Sequence, residues 1–263
     1  MRTSLGWAER DRVLVRGQDL TRDLLGRTTF GEMLGLVLLA RRPTADETRM
    51  IDALLVVLVE HGLVKSAITA RFVYSHAPEA MQAAVAASLL GAGSKHLGSS
   101  EWCARWLQEA LPVTPSDEGI ATAAATVVSD HAARHARIAG IGHHTHPDGD
   151  PRAVRLFQIA RETGTYGPHC ALLEAVSAKA SANGPRPLPV NVTGAIAAIA
   201  SDLGFRWQIT RAFALIGRTL GSLGHIQEEM DEPLSDALVE LVREHLEYGP
   251  GDGGAEGAPE PPA

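Results

Sequence analysis

Helix-start signals recur along this chain, and they constrain its architecture more than any other pattern. Thr29-Phe-Gly-Glu32 and Thr44-Ala-Asp-Glu47 are capping boxes. In each, the threonine hydroxyl accepts from the backbone N–H three residues on, and the glutamate reaches back to the threonine N–H. Asp150-Pro-Arg152 joins an N-cap aspartate to a first-turn proline, and Pro78 in Ser75-His-Ala-Pro-Glu79 reads as another first-turn proline. Between these starts, apolar residues fall at helical spacing, as at Met50, Leu54, Val57 and Leu58. Ala and Leu dominate the apolar set and aromatic residues make up only 5%, which favours helix over sheet. The pattern predicts an all-α chain of roughly ten helices, with a short strand or extended arm at Val13-Leu-Val15 and little or no other sheet.

Taken in order, helices are expected from Thr29 to Leu39, Thr44 to about Glu60, Pro78 to Leu90, Glu101 to Leu111 and Ile120 to Ile138. Others follow from Asp150 to about Thr163, Pro168 to Ala182, Asn191 to near Gly204, Gln208 to Met230 and Ser235 to Glu247. Ser66 to Tyr74, rich in β-branched residues, is left untyped. The helix ending at Leu90 is almost all Ala, Val and Leu on every side, so a central, buried place is expected for it. Gly217, Gly221 and Gly224 lie three or four apart on one helix and let another backbone come close. From Gly249 on, Gly, Pro, Glu and Ala make a low-complexity tail that is expected to be disordered.

The 263 residues suffice for one large domain or two smaller ones. A formal net charge of -7 argues against a nucleic-acid surface, which needs clustered Lys and Arg, yet leaves room for a local basic pocket. Cys103 and Cys170 do not make a disulfide scaffold; buried free thiols in a reducing cytoplasm are expected. No basic-then-apolar leader opens the chain, and no apolar run is long enough to cross a bilayer.

One stretch does not suit a packing role. Gly140-Ile-Gly-His-His-Thr-His-Pro-Asp-Gly-Asp-Pro-Arg152 crowds histidines, acids and an arginine between two helical patterns. Its glycines and prolines keep it irregular, and its charges suit the holding and polarising of a small anion. His143 can donate to a carbonyl or move a proton. Metal binding by the His143-His144-x-His146 run, or plain solvation of a loop, are the rival readings. His96 sits in the glycine-rich turn Gly91–Gly98, either facing a ligand or simply turning the chain. His61 ends a helix, where it contacts a ligand or the helix dipole. Arg218 stands in a largely apolar helix, where a charge is costly unless paired. Ligand carboxylates paired to Arg152 and Arg218 would account for both. His131 and His135 share one helix face with no third metal ligand and read as surface.

These pieces come in a familiar order. Val15-Arg-Gly-Gln-Asp-Leu20, Thr29-Phe-Gly-Glu32, Arg42-Pro-Thr-x-x-Glu47, Glu60-His-Gly62, Lys95-His96, Gly140-Ile-Gly-His143 with Asp150-Pro-Arg152, Asn191-Val192, and Arg218-x-x-Gly221-x-x-x-His225 together resemble the citrate synthase superfamily. Within it the chain is most similar to the short citryl-CoA lyase type and to the C-terminal module of ATP-citrate lyase. The resemblance implies an all-α, two-domain subunit: a large helical domain from residues 1–98 and 206–248 that dimerises, a small closing domain at 99–205, and a tail at 249–263. It implies a homodimer or higher homo-oligomer in the cytoplasm, with no metal, no separate cofactor, no nucleic acid and no membrane.

The resemblance also assigns roles. His61, Arg152 and Arg218 bind the oxaloacetate part of the substrate, and His143 binds it and accepts the hydroxyl proton. His96 stabilises the thioester oxygen, and coenzyme A lies along the loops around 93–98 and 138–146. Two positions depart from the family pattern. Thr193 follows Asn191-Val192 where the family has Asn-Val-Asp, and that aspartate moves the proton on the acetyl carbon. Leu97 and Ser99 interrupt a usual His-Gly-Gly-Ala. The expected activity is cleavage of a citryl-CoA-type 3-hydroxyacyl thioester to acetyl-CoA and an oxoacid. The alternatives are a relative acting on another CoA thioester and a catalytically silent CoA- or dicarboxylate-binding homologue.

Overall fold

A computed structural model describes residues 1–93, 98–111, 113–142, 146 and 148–249. The chain opens with a small antiparallel sheet of β1 (Gly6–Ala8), β2 (Val13–Val15) and β3 (Gln18–Asp19), in that spatial order. The strand expected at Val13–Val15 is its middle member. Arg16 and Gly17 both take positive φ between the paired Val15 and Gln18, the geometry of a two-residue hairpin turn.

Helices follow: α1 (Phe30–Leu39), α2 (Ala45–Val56), α3 (Lys65–His76), α4 (Met81–Ala92), α5 (Gly98–Ala110) and α6 (Asp117–Ala133). After the 140–150 loop come α7 (Pro151–Glu162), α8 (Pro168–Asn183), α9 (Val192–Asp202), α10 (Arg211–Asp231) and α11 (Ser235–His245). Both capping boxes form in full, Thr29 with Glu32 and Thr44 with Glu47. Asp150 caps α7 by accepting from the Arg152 N–H, with Pro151 in the first turn.

One open stretch is assigned and three expectations are corrected. The untyped stretch around Ser66–Tyr74 is helix α3, whose residues bury a stripe at Ser66, Ala67, Ala70 and Arg71. Pro78 does not open α4. It lies in the turn after α3, and α4 starts at Met81. Nor is α4 buried all round: only Ala84, Ser88 and Ala92 are covered, and Leu90 is 83% exposed. Helix α6 ends at Ala133, so His131 and His135 do not share a helix face; His135 takes φ 49° in the turn beyond. The expected disorder of the tail falls on 250–263, outside the described residues.

The central helix is α9. Ala195 to Ala200 are at most 1% exposed, enclosed by α5, α7 and α8. The main core runs from Leu34, Met50 and Leu54 through Leu107, Leu173 and Ile196 to Phe205 and Phe213. A second group, α3, α4 and α10, packs around Ala70, Ala84 and Ile226. Helix α2 stops at Val56, short of Glu60, because the chain there turns onto α10. A Cβ on Gly217 would lie 2.8 Å from Leu58 Cβ, and one on Gly221 would lie 2.0 Å from the Val59 carbonyl oxygen. Two of the three glycines thus serve the close approach that their spacing suggests, while Gly224 faces open space.

Candidate active site

The start of α9 is the anchor. Asn191 caps it with Oδ1, which accepts from Gly194 N at 3.0 Å and from the Thr193 hydroxyl at 2.8 Å. Asn191 Nδ2 donates to the Gly142 carbonyl at 2.8 Å, and Asn191 N donates to the Gly140 carbonyl at 3.0 Å. Gly142 N completes the frame by donating to Pro189 O at 2.7 Å. The frame is tight: a Cβ on Gly194 would stand 2.2 Å from the Gly140 carbonyl oxygen. The chain is therefore fixed on α9 up to Gly142, the residue before His143. His143, His144, His96 and Leu97 lie outside the described residues.

The Asn191 amide has both sides committed, and that fixes Thr193. The Nδ2 side must face the Gly142 carbonyl and the Oδ1 side must face Gly194 N–H, so the Thr193 hydroxyl has to donate its proton to Oδ1. Thr193 lines the central cavity and offers it an acceptor oxygen without a charge.

Asp150 ties the next motif to the same helix. Its buried carboxylate accepts from Val192 N at 2.9 Å and forks with Arg152, with Nε–Oδ1 and Nη2–Oδ2 both 3.0 Å. Burial pushes its pKa up, but the bonds from Arg152 and Val192 N–H outweigh that and hold it below the ordinary carboxylate value. Arg152 thus has an internal carboxylate, where the sequence suggested a ligand. Arg218, from α10, forms no ion pair within 4.0 Å among the described residues. Its pKa is lowered, first by burial and also by the nearby Arg152, against a raising effect of Glu60. Two guanidinium groups from distant elements line one cavity and act on each other's charge, and a carboxylate bound near both would relieve that repulsion.

They open on a cavity of about 1020 Å³, at the upper end of the size of small-molecule sites. His61, Arg152, Thr193 and Arg218, four of the six residues singled out in the sequence, line it. Its wall also holds Lys65, Arg137 and Arg186, and no Asp or Glu among the described residues. In a chain of net charge -7, that concentration of cations marks an anion site. Sequence reasoning missed Lys65, Arg137 and Arg186; each reads as an ordinary solvent-facing cation with no local pattern to single it out. His131, read as surface, is half-buried on this wall, with Nδ1 2.8 Å from Val127 O. No group of three or more His, Cys, Asp or Glu among the described residues could hold a metal ion.

Known proteins converge on one family. The model of the citrate synthase C-terminal domain matches residues 13–241. Citryl-CoA lyase from Hydrogenobacter thermophilus is 33% identical and superposes with a TM-score of 0.85, covering 100% of this chain and 97% of that one. ATP citrate lyase from Methanosaeta concilii, solved in complex with (3S)-citryl-CoA, is 20% identical with a TM-score of 0.72, over 96% of this chain and 42% of that one. Citrate synthase from Thermotoga maritima MSB8 is 21% identical with a TM-score of 0.63, over 87% and 59%. The last two likenesses show the shared fold alone. Comparison with curated protein sequences finds no match.

Proposed function

The chain belongs to the citrate synthase family, a family of enzymes, and from that premise we propose that it is a carbon–carbon lyase of the citryl-CoA type. It cleaves a citryl-CoA-type 3-hydroxyacyl thioester to acetyl-CoA and oxaloacetate or a related oxoacid. The observation that carries this reading is the cavity lined by Arg152 and Arg218 with no Asp or Glu on its wall among the described residues. Its cations suit a dicarboxylate at the inner end. Arg137 and Arg186, on the loops flanking the cavity, suit the phosphates of coenzyme A.

In this reading Arg152 and Arg218 neutralise and orient the carboxylates of the oxoacid part. His143 takes the hydroxyl proton as the carbon–carbon bond breaks, and His96 stabilises the enolate oxygen of the departing acetyl thioester. Both roles rest on the family resemblance. Thr193 replaces the carboxylate that moves the methyl proton in relatives. With its own proton committed to Asn191, it is no base near pH 7. Cleavage needs only a late protonation of the enolate, whereas condensation has to begin by removing a proton from carbon. Acid–base help is worth about a hundredfold to ten-thousandfold, so cleavage persists at reduced rate.

The large domain at 1–98 and 206–248, the small domain at 99–205 and a homodimer complete the proposal. The outward side of α4, with Leu90 and Met81 exposed, is the surface we assign to the second copy. The activity uses no metal and no cofactor beyond the thioester itself, and we place it in the cytoplasm. No described helix is long and apolar enough to cross a membrane.

The test is citryl-CoA cleavage by the pure protein, with oxaloacetate read by coupled malate dehydrogenase. Arg218→Ala is expected to lower kcat/KM by about a hundredfold or more, from loss of an unshared charge-assisted contact. His143→Ala runs beside it and is expected to abolish turnover. A folded parent without activity would remove citryl-CoA as substrate. A second reading, a CoA-thioester binder without turnover, is favoured by Thr193 alone. Thr193→Asp separates the two, because only a site open to acetyl-CoA gains exchange of its methyl protons with solvent.

A further inference from the structure

One acid stands beside the cavity and is turned away from it. Glu60 lies in the turn after α2, just before His61. Its Oε1 accepts from His61 N at 2.7 Å, and its Oε2 lies 3.0 Å from His225 Nε2. The same Oε2 is 3.4 Å from the place a Cβ on Gly221 would take. Arg218, Gly221 and His225 are spaced i, i+3 and i+7 on α10, so they share one face. The Glu60 carboxylate therefore rests over Gly221, between Arg218 one turn on one side and His225 one turn on the other. It meets the histidine and not the arginine.

Helix geometry gives the reason. Side chains lean toward the N-terminus of their helix. His225 leans over Gly221 toward Glu60, and Arg218 leans away from it into the cavity. His225 is itself braced: its side chain is 12% exposed, and Nδ1 lies 3.8 Å from Glu228 Oε2. Glu228 pairs with the buried Arg71 of α3, which also holds Glu229 at 2.9 Å. Helix α4, packed on the same two helices, brings no titratable side chain. The 3.0 Å approach to Glu60 lacks the geometry of a directed hydrogen bond, so the imidazole fixes the carboxylate by proximity.

We propose that His225 is a positioning residue that holds Glu60 off Arg218, leaving the Arg218 guanidinium open for the carboxylate of the ligand. Removing His225 frees a partly exposed carboxylate within one helical turn of an arginine that has no ion-pair partner among the described residues. The ion pair that then forms blocks the site from within. The identity of the ligand rests on the lyase reading above; the movement of Glu60 does not.

The experiment uses the full chain with His225→Leu, His225→Gln and the double variant Glu60→Gln/His225→Leu. A crystal structure of ligand-free His225→Leu is expected to place the Glu60 carboxylate on Arg218. KM for citryl-CoA is expected to rise about tenfold with kcat within about twofold, the signature of lost ground-state binding. His225→Gln and the double variant are expected to bring KM back to within about twofold of the parent. A Glu60 that stays over Gly221 in His225→Leu, or a double variant that keeps the raised KM, overturns the proposal. Should His225→Leu not fold, His225→Asn, too short to reach Glu60, carries the same two readouts. A parent that cleaves no citryl-CoA ends the lyase reading, and the position of Glu60 in the variant structure still decides this one.

Discussion

Helices α4 and α9 have nearly the same composition and opposite fates. Both are Ala-rich and mostly apolar, yet α9 is sealed along its length while α4 buries only the line Ala84, Ser88 and Ala92. The difference lies in the neighbours. Helix α9 has α5, α7 and α8 around it, whereas α4 rests on α3 and α10 from one side. An all-apolar helix announces that it will be covered; the chain itself does not say by what. For α9 the cover is intramolecular, and its first turn carries the site. For α4 the outward face stays exposed, with Leu90 83% accessible, and it is the surface proposed above for a second copy.

The largest contrast comes from putting a carboxylate on each helix. Ala197→Asp in α9 buries an unpaired charge at 0% exposure, a cost of at least several kcal/mol, and is expected to leave no cooperative thermal transition. Leu90→Asp in α4 is expected to melt as a folded protein but to sediment as a monomer. If Leu90→Asp unfolds the chain as well, the two helices are alike after all.

A smaller effect separates the two regions by pH. On the α4 side, Glu229 joins α10 to α11 by accepting from Leu234 N and Ser235 N and by pairing with Arg71. Burial raises its pKa, but the bonds from Ser235, Arg71 and Leu234 prevail and lower it from 4.5 to about 2. A folded-state pKa below the unfolded one stabilises fully above pH 4.5, and that contribution is lost as pH falls from 4.5 toward 2. The amount is on the order of 3 kcal/mol. Glu229→Gln is expected to lower Tm at neutral pH and to flatten its fall on acidification. An unchanged acid slope would show that the join contributes nothing.

The smallest effect sharpens the difference in how the helices begin. Helix α4 has no side-chain cap, while Asn191 caps α9 and holds Gly142. Asn191→Ala is expected to cost about 1 kcal/mol in denaturant unfolding. It is expected to cost turnover more heavily, because the loop leading to His143 loses its anchor. Equal losses in both would reduce Asn191 to a cap.

The sequence by itself determined four of the helix starts and four of the residues that line the cavity. Thr29, Thr44, Asp150 and Asn191 cap their helices by bonds reaching two or three residues along the chain, and such bonds need no tertiary partner. His61, Arg152, Thr193 and Arg218 were legible because each breaks its local pattern or fits a family motif, and all four line one cavity. Only the tertiary structure decided that α9 and not α4 is central, and that Asp150 also accepts from Val192 N at the start of α9. It alone placed Lys65, Arg137 and Arg186 on the same wall, and the Glu60 turn on Gly221. The reason is range. Caps and periodicity act within a turn of helix, whereas burial and the meeting of charges depend on residues far apart in the chain, which no local pattern encodes.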